Sequence, residues 1–197
     1  MTDVGLDGRT ARRDRNRELV LDAVIELFTE NPLEPNASEV ANRSGVSLRS
    51  VYRYFEDRDD LVRAAIARHA ERLAPLFELP GLGEGALDAR ITRFVQQRLR
   101  LYEGAASTAR AALLRAPGNH LLREQMDRTR ELLRRQMHDM FAPELMARRA
   151  APRRATAAAI DTMFQFEAVE HLRHRLRYSP AQTSDVLRRT LTALLDA

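Results

Sequence analysis

The sequence predicts an all-α protein, a small N-terminal domain of three helices joined to a larger helical domain, with about nine helices in all. Three observations carry that expectation. Apolar residues recur at three- and four-residue spacing along most of the chain. No run alternates apolar and polar residues long enough to make a strand. The breaks between periodic segments fall at glycine, proline and asparagine clusters. With 197 residues, 44% apolar and 30% charged, the chain can bury a core and remain soluble.

Residues 1–13 read as a basic, disordered arm, because residues 1–10 set glycines and aspartates around single apolar side chains. From Arg13 to about Glu30, Leu19, Val20, Ala23, Val24, Leu27 and Phe28 form one helical stripe, ended by the prolines of NPLEP. Asn36 stands three residues before Glu39, the spacing of a capping box, and opens a second helix to Arg43. Gly45 then supplies a turn and Ser47 a cap for a third helix. That helix is expected to keep Leu48, Val51 and Phe55 for the core and to turn Arg49, Ser50, Arg53 and Tyr54 outward. Asp57 and Asp60 repeat the capping spacing ahead of a long fourth helix, in which Pro75 is expected to cause a kink or an early end. Beyond the LPGLGEG loop, helices are expected at 86–103, 106–116, 119–149, 152–178 and 181–196, with Gly104, APGN, Pro152 and SP as punctuation.

Composition narrows the chemistry. The absence of cysteine excludes disulfides, thiolate metal sites and cysteine nucleophiles. No 18-residue apolar window and no signal-like N-terminus is present, so a cytoplasmic protein without a membrane partner is expected. GLGEG follows no strand and so is not a phosphate loop, and the paired Glu-x-x-His motifs of a di-iron bundle are missing. An enzyme is not expected. Glu167, His171 and His174 share one helical face, but that spacing arises readily by chance and needs ligands from other helices, so no metal or other cofactor is expected.

Charge must be read locally. Residues 1–60 carry nine arginines against thirteen acids, whereas Arg9, Arg12, Arg13, Arg15 and Arg17 face only Asp14 within their nine-residue stretch. Between Val40 and Phe55 three arginines stand with no acid. Two short helices joined by a glycine turn, the second with an apolar anchor and a cationic outer face, form a helix-turn-helix unit, which lays its second helix in the DNA major groove.

LDAVIELF and ASEVANRSGVSLRSVYRYFEDRDDLVRAAI, within residues 14 to about 70, resemble the N-terminal domain of the TetR family of bacterial transcriptional regulators. The resemblance implies that Tyr52 and Tyr54 touch the DNA backbone, that Arg49, Ser50 and Arg53 reach base edges, and that Arg58 replaces a phosphate-facing lysine. Asn36, Ser47 and Arg13 complete the candidate DNA-contacting set. Two departures stand out: NPLEP lacks the family's usual glycine, and Leu48 occupies a position often held by a basic residue.

The expected organisation is therefore an arm (1–13), a helix-turn-helix domain (14–73) and a ligand-sensing and dimerisation domain (74–197). The expected function is a ligand-responsive repressor that binds a palindromic operator as a homodimer paired through residues 152–196. Val186, Leu187, Thr190, Leu191, Leu194 and Leu195 make a stripe wide enough to meet a partner, or to cover the subunit's own core. The resemblance also implies a small-molecule pocket, with Phe77, Phe94, Tyr102, Met126, Met137, Phe141, Met163, Phe164 and Phe166 as candidate linings; the same residues suit an ordinary core. A helical-bundle adaptor or enzyme without sequence-specific DNA binding is the alternative.

Overall fold

The computed structural model describes residues 4–30 and 35–196, so most of NPLEP lies outside the described residues. Ten α-helices follow one another: α1 (Val4–Glu30), α2 (Ala37–Ser44), α3 (Leu48–Tyr54), α4 (Arg58–Phe77), α5 (Leu87–Arg115), α6 (His120–Met140), α7 (Ala142–Met146), α8 (Ala150–Met163), α9 (Phe166–Glu170) and α10 (Pro180–Asp196). No strand occurs among the described residues. The chain forms two compact units, one of residues up to Arg72 with Ser107–Met126, the other of Leu73–Ala106 with Asp127–Ala197.

In the first unit α1 packs on α2 and α3. Its core is Val20, Ala23, Val24 and Leu27 of α1, Val40 and Ala41 of α2, and Val51, Tyr54 and Phe55 at α3, all buried. Fully burying each of the larger aliphatic or aromatic side chains is worth about 1.5–3 kcal/mol. This cluster is what holds a seven-residue helix that is too short to persist alone. The Asp22 carboxylate ties α1 to α4, accepting from the Arg68 guanidinium at 3.0 Å and from Arg72 at 2.5 Å. The end of α5 belongs here too: Arg115 lies over the Phe28 ring at 4.3 Å, and His69 Nε2 is 3.0 Å from Thr108 Oγ1.

In the second unit Ile91, Phe94 and Val95 of α5, Met137 and Met140 of α6, Phe141, Leu145 of α7, Ile160 of α8 and Leu187, Leu191 and Leu195 of α10 form one buried cluster. Ser179 and Gln182 cap α10 reciprocally, with Pro180 at its first position. At its far end Arg148 donates to the Leu194 and Leu195 carbonyls, both at 2.9 Å.

Several boundaries differ from expectation. Residues 4–13 belong to α1 and are not a disordered arm; once α1 is nucleated by its packed half, each further residue adds a hydrogen bond, and alanine and arginine favour the extension. Gly104 does not interrupt α5, which is continuous. A Cβ there would collide with Leu76 Cδ1, so the glycine serves close packing rather than a break. Pro75 does not stop α4, which runs two residues past it. Residues 119–149 are divided at Phe141 and the stretch 152–178 at Phe164–Gln165, and the latter then widens into one π-helical turn, His171–Arg175, closed by Leu176 N–H donating to the His171 carbonyl at 2.9 Å.

Candidate nucleic-acid interface

The helix ends around the α2–α3 turn are built from local hydrogen bonds. The Asn36 side chain accepts from the Ser38 and Glu39 amides at 3.0 Å each, while Glu39 accepts from the Asn36 amide at 2.8 Å, a complete capping box. Gly45 ends α2 with φ +68°, the left-handed region where a Cβ is disfavoured. Ser47 caps α3, accepting from the Ser50 amide at 3.3 Å, and its hydroxyl donates to Ser50 Oγ at 3.0 Å. Asp57 caps α4 by accepting from the Asp60 amide at 2.7 Å.

These caps set the rotation of α3. Val51, Tyr54 and Phe55 face the core; Leu48, Arg49, Tyr52 and Arg53 face solvent, with Leu48 38% and Tyr52 68% exposed. The expected orientation is thus corrected at two positions: Tyr54 is inside, 9% exposed, and Leu48 is outside. For Tyr54 the reason is helical geometry, since Tyr54 and Phe55 stand three and four residues beyond Val51 and share its face; Leu48, the first residue of α3, lies at the border of that face. Burial pushes the Tyr54 phenol up, but hydrogen bonds involving Asn16, Arg53 and Ser50 together with the Arg53 charge outweigh it and leave it below the ordinary tyrosine range. The tyrosine is amphipathic, ring in the core and hydroxyl at its edge.

The candidate residues separate by role. Arg49, Arg53, Tyr52, Ser47 and the half-buried Ser50 lie together on or beside the outer face of α3. Arg53 also lies over the Tyr54 ring at 5.4 Å. Arg58 and Arg13 are exposed, at the start of α4 and in the first half of α1. Asn36 has its side-chain oxygen committed to capping. Two contributors carried no signal in sequence. Arg43 bonds Glu30 of α1 at 2.6 and 3.0 Å and fastens α2 to α1, and Arg17 lies 5.1 Å over the Phe55 ring, bracing the end of α3.

The residues expected to line a pocket do not form one group. Met126 belongs to the first unit and the other candidates to the second. Phe94, Met137 and Phe141 are buried against one another, with Phe94 edge-on to Phe141 at 5.1 Å and to Phe164 at 4.9 Å; Met163 packs at the margin of that cluster. Tyr102 is buried, donates to Glu170 and lies against Phe166 at 5.2 Å, while Phe77 is half-buried with its carbonyl accepting from Gln136. A shallow polar groove lies elsewhere in this unit, lined by Asp127, Arg130, Glu131, Arg134, Asp161 and Gln165. Of the residues weighed as metal ligands, Glu167 pairs with Arg130 at 3.7 Å and His174 with Glu170 at 3.5 Å; no cluster of three metal-ligating side chains occurs among the described residues.

Fold and local geometry together define a helix-turn-helix protein, and comparison with known proteins shows what its parts resemble. Residues 20–65 match the family of bacterial regulatory proteins, tetR family. The HTH-type transcriptional repressor LfrR of Mycolicibacterium smegmatis is 33% identical over 90 residues, 45% of this chain and 47% of that protein. The uncharacterized HTH-type transcriptional regulator Rv1255c of Mycobacterium tuberculosis is 37% identical over 71 residues, 35% of each. The chain therefore matches less than half the length of these curated relatives. A putative transcriptional regulator from Pseudomonas aeruginosa PAO1 superposes with TM-score 0.71 at 13% identity, covering 93% of this chain and 92% of that one. One from Rhodococcus sp. RHA1 gives 0.67 at 20% identity, covering 91% and 96%. The part of the chain that resembles the tetR family of bacterial regulatory proteins is thus its N-terminal helix-turn-helix region.

Proposed function

We propose that the protein is a transcriptional repressor that binds a palindromic operator as a homodimer and answers to a small-molecule effector. The observation that carries this reading is the outer face of α3, where arginines, serines and a tyrosine stand in solvent on a helix whose inner face and caps fix its rotation. Arg49 and Arg53 read base edges, for which guanine O6 and N7 are the natural partners, and Tyr52, Arg58 and Arg13 contact phosphates. Ser47 and Ser50 lie within reach of the same groove. Tyr54 and Asn36 act indirectly, by holding α3 and α2. Residues 14–73 serve as the reader and 74–197 as the sensing and dimerising region. The similarity of the N-terminal half to a protein named as a repressor supports the regulatory sense.

A single helix-turn-helix reads few base pairs, so two heads on half-sites roughly 34–36 Å apart are required. On α10, Leu187, Leu191 and Leu195 cover the subunit's own core, and Val186, Thr190 and Leu194 stay half-buried. On α8, Ala151, Ala155, Ala158 and Thr162 form an exposed small-residue face at helical spacing. That face and the half-buried side of α10 suit pairing with a second copy.

Selection of bound fragments from a random duplex pool at moderate salt, with the mass in solution measured by light scattering, tests the reading. A palindromic motif with half-sites one helical turn apart, and a particle of twice the 22.5 kDa chain, is the expected result. A pool that stays random after repeated rounds contradicts it.

A further inference from the structure

The exposed side of α3 has two parallel ridges. Arg49 and Arg53, four residues apart, make a cationic one; Leu48 and Tyr52, also four apart, make an apolar one about 100° round the helix. The inner residues Val51, Tyr54 and Phe55 hold the rotation, so neither ridge can turn into the core without pulling those three out. Leu48 is the first residue of α3, immediately after the Ser47 cap, and the N-terminal residues of a recognition helix are those that contact base edges.

A leucine there can neither donate nor accept a hydrogen bond, so it reads no amino, carbonyl or ring-nitrogen group and holds no phosphate. The major groove offers one apolar feature among its base edges, the 5-methyl of thymine. We propose that Leu48 is a specificity residue that packs on the 5-methyl group of a thymine in each half-site, next to the base pair engaged by Arg49 or Arg53. The inference rests on the DNA-binding reading above and adds to it a base and a side chain. Tyr52, the other member of the ridge, flanks the same spot with its ring while its hydroxyl points to the backbone side, shielding the methyl contact from water.

The test uses the full chain and the duplex recovered by selection. Each thymine is replaced singly by deoxyuridine, which removes the methyl and keeps pairing and the O4 acceptor. Binding is read by fluorescence anisotropy. One thymine per half-site should show a loss of about threefold to tenfold on this change, the size of one buried methyl. Leu48→Ala and Leu48→Gln should each bind the thymine and deoxyuridine duplexes alike, with helical content and melting temperature close to the parent. Indifference of the parent to every deoxyuridine replacement overturns the proposal, and so does sensitivity that persists in both variants. A contact with sugar carbons would reveal itself as the first of these, with Leu48→Ala weakening all duplexes equally. Failure to recover any preferred duplex instead removes the DNA-reading function and Leu48's part in it; that failure is recognised separately, because Arg53→Ala would then discriminate nothing either.

Discussion

The helix starts of the first unit and the core of the second hold their polar groups in different ways. In the helix-turn-helix unit, the starts of α2, α3 and α4 are held by hydrogen bonds of short sequence separation: Asn36 with Glu39, Ser47 with Ser50, Asp57 with Asp60. The arginines proposed to read DNA, Arg49 and Arg53, are left exposed. In the second unit four polar side chains are buried, Arg90, Gln97, Arg98 and Thr183, and the first three reach partners far along the chain. Arg90 donates to Glu144 and, at 2.8 Å, to the Met140 carbonyl. Arg98 donates to Gln97, to Gln136 at 2.9 Å and to the Leu133 carbonyl at 3.0 Å, and lies 4.4 Å over the Phe94 ring. Gln97 and Gln136 in turn take the carbonyls of Leu76 and Phe77 at the end of α4. Burial lowers the Arg98 guanidinium to about 10, the Asp161 charge opposing it in part, so that it is still charged at neutral pH. Local caps let one helix present its face; a buried network instead fixes how several helices meet.

The largest effect should come from breaking that network at its ion pair. Glu144→Ala leaves Arg90, 4% exposed, without its carboxylate, and should lower unfolding stability by about 3 kcal/mol in urea titration. The same pair gives a pH signature. Hydrogen bonding from Arg90 lowers the Glu144 carboxyl against the opposing effect of burial, and Arg68 does the same for Asp22. A carboxyl held low in the folded state adds stability above its ordinary range, and that stability is lost as pH falls through the lowered value. Stability should therefore hold to roughly pH 4 and fall below it, with a shallower fall for Glu144→Gln. Arg98→Met leaves the Gln97 and Gln136 oxygens and the Leu133 carbonyl short of a donor while also removing a buried charge, and should cost about 2 kcal/mol. In the other unit the effects should be smaller. Asn36→Ala, which abolishes a capping box, and Gly45→Ala, which forces a side chain into left-handed backbone without any clash, should each cost about 1 kcal/mol by thermal melting. If the cap variants proved costlier than Glu144→Ala, the contrast between local and long-range organisation would be wrong.

The same contrast explains what could be read in the sequence. Caps, glycine turn and apolar stripe are short-range patterns, and the motif, its boundaries and its exposed arginines followed from them. Tyr54 was misplaced because on a seven-residue helix one 100° step decides inside from outside, and an amphipathic ring fits either side. The N-terminal turns of α1 were missed because weak local propensity hid a helix propagated from its packed half. Gly104 read as a break because the reason for it, Leu76, is 28 positions away. Arg43, Arg90 and Arg98 gave no signal, since each has a partner 13 to 54 residues distant and nothing in a list of arginines separates a buried one from a solvated one.

The central claim is that the outer side of α3 reads bases and does not merely attract DNA. It is tested most directly by titrating parent and Arg53→Ala protein against the selected duplex and a scrambled duplex of equal length and composition, at one salt concentration. The account predicts that the substitution weakens binding to the selected duplex by about 1–3 kcal/mol and leaves the scrambled one nearly unchanged. An equal loss on both would show that Arg53 supplies charge alone, and would contradict the account.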